Sequence, residues 1–313
     1  MSIPLLCVTT KTASTWICRG DFLPTPFSSQ KAKSPSVFAR ILRSWTGGTS
    51  LIVLAALLVL SILVNLGVVG FDPIAQTPAD RLLAPNGTYW FGTDQFGRDI
   101  FSRVISGVGS SALISGVAVT IAALFGTLLG LVGGFYRGVI DVFGSGLTNV
   151  LFAFPPLLLA LTLASVLDRN WFTVAVAIGI VYIPIFARVT RGPVLSLREI
   201  EFVKAAKSTG MASIGIMFKH VLPNIYSIAI IQIALSLSWA VLTEAALSFL
   251  GLGSPPPAPS LGSMIYEART LVLIAPWTLW APGAVIVVFV VCLNLLGDSL
   301  RDILDPRSKE VNS

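Results

Sequence analysis

The sequence predicts an all-α membrane protein with six transmembrane helices, and three observations carry that prediction. The chain has 313 residues, of which 54% are hydrophobic and only 12% charged, with a mean hydropathy of +0.85. A soluble domain carries about 25% charged residues because its surface faces water, so half that density leaves much of the outside facing lipid. The apolar residues are gathered into stretches free of Asp, Glu, Lys and Arg, close to the roughly 20 residues an α-helix needs to cross the hydrocarbon. The 21 basic residues fall mainly between and beyond those stretches on one side. Disorder is excluded by the same composition.

Residues 1–48 mix Ser, Thr, Pro and Lys with the single acid Asp21 and read as a cytoplasmic tail rather than a targeting extension. Ile3 to Val8 is too short, and too interrupted by Pro4, for a signal-peptide core. The first span runs from Thr49 to Gly70 and is followed by an external segment over 71–109. The second runs from Ser110 to Tyr136, the third from Val142 to Leu167, the fourth from Trp171 to Ala187 and the fifth from Pro223 to Glu244. The sixth lies between Leu271 and Gly297, with Trp277 and Trp280 suited to an interfacial belt, and residues 298–313 form a second tail. Pro155, Pro156, Pro184 and Pro282 are places where spans bend. Gly126, Gly130, Gly133 and Gly134 on the second span permit close helix contact.

Charge orients these spans. Lys11, Arg19, Lys31, Lys33, Arg40 and Arg43 precede the first. Arg188, Arg191, Arg198, Lys204, Lys207 and Lys219 lie between the fourth and fifth; Arg137, Arg301, Arg307 and Lys309 share their side. Sixteen of 21 basic residues thus fall together, against Arg81, Arg98, Arg103, Arg169 and Arg269 opposite. By the positive-inside rule both termini and the segment 188–222 are cytoplasmic. The net charge of +6 therefore orients helices and does not mark a nucleic-acid partner.

Several chemistries are missing. The dipeptide Gly-Lys never occurs, so there is no P-loop for ATP. Cys7, Cys18 and Cys292 are too scattered for a disulfide framework or a metal site. His220 is the only histidine and sits at a cytoplasmic helix end, which excludes paired-histidine zinc sites and gives no support to a hydrolase triad. An enzyme is not expected. Gradient-driven carriers place ionisable groups at mid-bilayer. Only Glu244 invites that reading here, and it lies a full membrane thickness from Pro223. Two roles stand for Glu244, an interfacial structural one and a place on a translocation path.

Two polar segments are informative. Arg198 to Thr209 reads as a short amphipathic helix stopped by Gly210, since glycine readily takes the left-handed cap conformation. The small Ala205 and Ala206 beside bulky Phe202 and Val203 allow a partner to approach the backbone closely. Pro223 suits the first turn of the fifth span. Outside, Thr93 is placed to cap a helix whose pairs Asp94/Arg98 and Asp99/Arg103 have the favourable acid-first i,i+4 order, each worth a few tenths of a kcal/mol.

These segments carry a resemblance. Ala205-Ala206, Gly210, His220 and Leu222-Pro223, at their observed spacing, resemble the EAA loop of bacterial ABC importer permeases, whose coupling helix docks on an ATPase subunit. Lys204 stands where that motif begins with Glu. The run Trp90 to Arg103, with Gly92, Thr93, Asp94, Gly97, Arg98 and Asp99, is similar to the external segment of the C-type subunit of the dipeptide/oligopeptide (peptide/nickel) family. Glu244 to Gly253, with Pro255 to Pro257 and Ser260 to Met264, looks like that subfamily's external hairpin, with Leu261 where Trp is usual. Asn294 to Arg307 resembles its C-terminal signature.

The resemblance implies a type I ABC importer permease architecture over 110–297, in the bacterial cytoplasmic (inner) membrane, serving uptake of di- or oligopeptides, or of nickel complexes, glutathione or opines. It implies partners: a homologous B-type permease, two ATPase subunits that bind ATP and Mg, and an external solute-binding protein. No cofactor belongs to this chain. The coupling helix would comprise Val203, Lys204, Ala205, Ala206, Lys207, Ser208, Thr209, Gly210 and Met211. Gly146 and Asn149 replace an Arg and an acid usual before Phe154-Pro155-Pro156, so a charged contact there is expected to be missing. The rival classes are a carrier or channel acting alone and a structural or receptor-like subunit.

Overall fold

The computed structural model describes residues 37–304. Most of the expected N-terminal tail, with Cys7 and Cys18, and the C-terminal Arg307 and Lys309 lie outside the described residues. Residues 37–48, assigned to that tail from sequence, are helical: α1 (Val37–Arg43) turns at Ser44 into α2 (Trp45–Asn65). The first span thus starts and ends earlier than the charge pattern alone suggested.

An irregular external segment leads to α3 (Ile100–Tyr136), 37 residues long, whose first turns are polar and were left out of the predicted second span. Its start is set by Asp99, whose carboxylate accepts from the Ser102 amide and hydroxyl at 2.9 and 2.6 Å. The third span is not one helix. α4 (Gly138–Phe152) and α5 (Pro156–Val166) meet at a bend of 91°, as Pro155 and Pro156 suggested.

α6 (Trp171–Leu197) opens on a capping box between Asn170 and Thr173 and continues beyond Ala187, through Pro184 and Pro193, as one helix. The short α7 (Glu201–Ser208) follows, then α8 (Ser213–Ile216), which runs through a π-turn at Met217–Val221 into α9 (Leu222–Phe249). Pro223 occupies the first turn of α9, as expected, yet the helical run as a whole begins at Ser213. The short α10 (Leu261–Ala268) and the long α11 (Trp277–Leu304) complete the described residues. Among the described residues, five helical runs are long and apolar enough to cross a membrane, and six with the bent pair.

Helix α3 is the central post. A Cβ at Gly126 would come within 2.5 Å of the Ile183 carbonyl, and one at Gly130 within 2.5 Å of the Ala187 carbonyl, so these glycines set how closely α3 and α6 pack. Ala118, Val119 and Ala122 of α3 share a core with Val174, Ile178 and Phe186 of α6 and Ala240 and Leu247 of α9. A second cluster joins α3 to α2, α10 and α11. A third gathers Leu131, Phe135, Val194, Ile216, Met217 and Val221 around Val203 of α7.

Candidate functional site

The two motif-bearing segments form two different kinds of site. In the segment after α6, Ile200 is extended, so α7 starts at Glu201 and not at Arg198. Arg198 instead donates to the Phe135 carbonyl at 2.7 Å, tying the connection to the end of α3. Thr209 follows the last helical residue, and Gly210 takes φ +80°, which lets the Met211 amide reach back to the Ala206 carbonyl at 3.2 Å. This is the stop expected at Gly210.

One residue anchors α7. Val203 is 3% exposed and is held by Ile216, Met217 and Val221, while Ala206 packs partly against the same cluster. Lys204, Ala205, Lys207, Ser208, Thr209, Gly210 and Met211 all face outward. Phe202, Ile214 and Phe218 are also exposed, as are Lys204, Lys207 and Lys219. Lys204, in the place of the usual Glu, pairs with Glu199 at 3.6 Å, with both side chains more than half exposed. His220 sits in the π-turn with its Nε2 buried and without a hydrogen bond, its ring 6.4 Å from that of Phe202.

The external motif corrects the expectation of a helix capped by Thr93. Residues 94–98 form a turn organised by Asp94, whose Oδ1 accepts from the Phe96 and Arg98 amides at 2.8 and 3.0 Å. Gly97 is at φ +73°, and a Cβ there would collide with the Thr77 carbonyl, so neither helix nor another residue fits. Thr93 is buried; its hydroxyl accepts from the Leu83 amide and donates to the Asp80 carbonyl. Asp80 in turn accepts from the Tyr89 hydroxyl at 2.8 Å, and that carboxylate holds the phenol above its usual pKa.

The predicted pair Asp94/Arg98 does form, at 2.6 Å. Asp99 does not pair with Arg103: it caps α3. Arg103 lies 3.6 Å from both Asp94 and Glu267, and Arg98 donates to Glu267 at 2.8 Å. Glu267 of α10 was not singled out from sequence, because it lies 169 residues from Arg98 and no local spacing reports such a pairing. Trp277, expected in an interfacial belt, donates its indole N–H to the Thr93 carbonyl at 3.3 Å. Gly92 also belongs to this turn, approaching the Leu83 carbonyl and the Trp277 ring.

Glu244 is fully buried within the protein, on α9, which continues to Phe249. Ser111 of α3 and Ser248 donate to its two oxygens at 2.6 and 2.7 Å. Asn149 accepts from Arg188 at 3.5 Å, and earlier on α4 Asp141 receives both Nε and Nη2 of Arg191 at 2.6 and 2.7 Å. Arg188 stacks over the Phe152 ring at 4.0 Å.

A long-helix bundle of five or six spans, interrupted by a short exposed helix with an apolar and basic face, defines the chain as a membrane permease of type I ABC importer architecture. Residues 126–310 match the family described as "Binding-protein-dependent transport system inner membrane component", and the chain belongs to that family, as a multi-pass inner-membrane protein. Among its relatives, the dipeptide transport system permease protein DppC of Alkalihalophilus pseudofirmus is 40% identical over 289 residues, covering 91% of this chain and 94% of that one. The glutathione transport system permease protein GsiD of Pectobacterium atrosepticum is 40% identical over 231 residues, covering 74% and 77%. In fold, the chain resembles a subunit of the inward-facing MetNI methionine ABC transporter with a TM-score of 0.53 at 17% identity, over 64% of this chain and 96% of that one.

Proposed function

We propose that this chain forms half of the membrane pathway of an ABC importer for di- or oligopeptides. A homologous B-type permease forms the other half. Two ATPase subunits, which bind ATP and Mg, dock on α7 and the exposed residues after it, and an external solute-binding protein delivers the substrate. Both termini and the segment 188–222 face the cytoplasm, and the Asp94–Arg98–Glu267 cluster faces outward. The observation that carries this reading is α7 itself. It is a helix whose one fully buried residue is Val203, with exposed Phe202 beside it, in a chain whose sequence offers no P-loop. Closure of the ATPases pushes α7 and, through Val203, the ends of α3, α6 and α9. Glu244, bridging Ser111 and Ser248, serves as an internal tie between α3 and α9.

The experiment is uptake of a labelled dipeptide by vesicles holding the complete complex, with ATP hydrolysis measured in parallel. Gly210→Leu strains the left-handed position at the end of α7. Uptake is expected to fall at least tenfold while hydrolysis persists. Unchanged uptake, or transport by this chain without ATPase subunits, removes the docking role. A second reading, import of glutathione, is favoured by the likeness to GsiD; competition between glutathione and a dipeptide for uptake separates the two.

A further inference from the structure

We infer that α1, with Trp45 at the start of α2, lies in the plane of the membrane surface and binds anionic phospholipid headgroups. This surface is separate from the coupling segment and independent of the transported substrate.

Sequence periodicity gives α1 two sides. At about 100° per residue, Phe38, Ile41 and Leu42 fall on one side of the helix and Arg40 and Arg43 on the other. The apolar side is itself divided. Ile41 is buried, whereas Phe38 and Leu42 beside it are 61% and 48% exposed, and Trp45 just beyond is 87% exposed. Ile41 therefore holds α1 to the bundle and large apolar groups stand open around it. Aromatic and leucine side chains opposite arginines are the pattern of helices that lie in the interface plane.

The depth of α1 follows from its neighbours. One extended residue, Ser44, separates it from the apolar span α2. The turn is tight: the Ser44 hydroxyl donates to the Ile41 carbonyl at 2.8 Å, and a Cβ at Gly48 would come within 2.8 Å of the Leu42 carbonyl. The Thr46 and Ser299 hydroxyls lie 3.2 Å apart, and a Cβ at Gly47 would come within 2.9 Å of Ser299. Ser299 stands where α11 leaves its apolar run for Asp298, Arg301 and Asp302. The turn between α1 and α2 is thus level with the polar edge of the spans, where headgroups lie and aromatic side chains gather.

Charge selects the kind of lipid. Between Asp21 and Asp72 the sequence has no acid, and it has Lys31, Lys33, Arg40 and Arg43. Arg40 and Arg43 make no ion pair among the described residues. At the end of α11, Arg301 stands with Asp298 and Asp302, one acid in excess, which the two arginines of α1 outweigh. Residues 1–36 are a poor cover for this face, because Lys11, Arg19, Lys31 and Lys33 against Asp21 give them the same sign. Guanidinium groups bind phosphate with charge-assisted hydrogen bonds, and a basic residue at an anionic surface strengthens binding about fivefold.

The test uses the assembled importer in vesicles of equal phosphatidylglycerol and phosphatidylcholine. Phe38→p-benzoylphenylalanine puts a photoreactive ring at an exposed position, and mass spectrometry identifies what it captures on irradiation. Adducts with phosphatidylglycerol should exceed those with phosphatidylcholine about fivefold, and less so in high salt. Arg40→Gln with Arg43→Gln should bring the ratio to about one, whereas Arg40→Lys with Arg43→Lys should keep most of the preference. Equal capture of the two lipids by the unaltered helix overturns the headgroup recognition. Capture of a protein segment in place of lipid, or of neither, overturns the membrane contact itself.

Discussion

The outward cluster and the coupling segment are built in opposite ways. Outside, Asp94, Arg98 and Arg103 are almost wholly buried, and Glu267 closes a four-residue network across elements far apart in the chain. Removing any member unbalances a network whose Asp94, Arg98 and Arg103 are shielded from water. Inside, α7 is two turns long and held by one valine, and its charged residues stand in water. The contrast separates a region whose charges are paired within this chain from one whose polar and apolar side chains are left exposed. A network that satisfies itself holds a shape, whereas a patch with exposed Phe202, Ile214 and Phe218 is completed only by contact.

That contrast can be broken by substitution. Arg98→Ala should have the largest effect on stability. It removes the closest cation from Asp94 and Glu267 and leaves both to Arg103 at 3.6 Å, a loss of about 3 kcal/mol, read as a lowered unfolding temperature of the detergent-solubilised complex. An unfolding temperature equal to the parent's would mean the cluster is hydrated and not a closed network. Val203→Ala removes two buried methyl groups, about 2 kcal/mol in a well-packed site. Because Val203 is the sole buried residue of α7, the variant should copurify with far less ATPase subunit, and its unfolding temperature should fall less than that of Arg98→Ala. Retention of both subunits at parental ratio would show that α7 is held by more than its anchor. Lys204→Ala should do least: its pair with Glu199 is exposed on both sides, so its effect on stability should stay below about 0.5 kcal/mol. A large loss of ATPase binding in Lys204→Ala would instead assign that side chain to the docking surface.

Legibility from sequence follows the same division. The coupling segment was readable because its determinants are local: an amphipathic run ended by Gly210, whose conformation few other residues adopt. The spans were readable because lipid imposes length and apolarity on each separately. The external turn was misread for a physical reason. Asp94/Arg98 and Asp99/Arg103 have helical spacing, but the left-handed Gly97 between them ends any helix, and Asp99 is consumed as a cap. Glu267 against Arg98 and Asp141 against Arg191 are separated by 169 and 50 residues, distances at which spacing says nothing. The burial of Glu244 against Ser111 was not legible because its partner lies 133 residues away in the chain.

The 91° break between α4 and α5 has a consequence for how the subunit sits in its bilayer. Residues 152–158 are exposed on the isolated chain, and at the break the last carbonyls of α4 lose the helical ladder while Pro155 and Pro156 bring no amide to answer them. Hydrocarbon cannot solvate such carbonyls; irregular backbone at membrane depth is tolerated only against protein or water. The side of the bundle carrying the break therefore turns away from the fatty acyl chains. One proline pair thus acts as a compass needle, fixing which flank of the subunit looks inward and leaving the smooth, unbroken helices to meet the lipid.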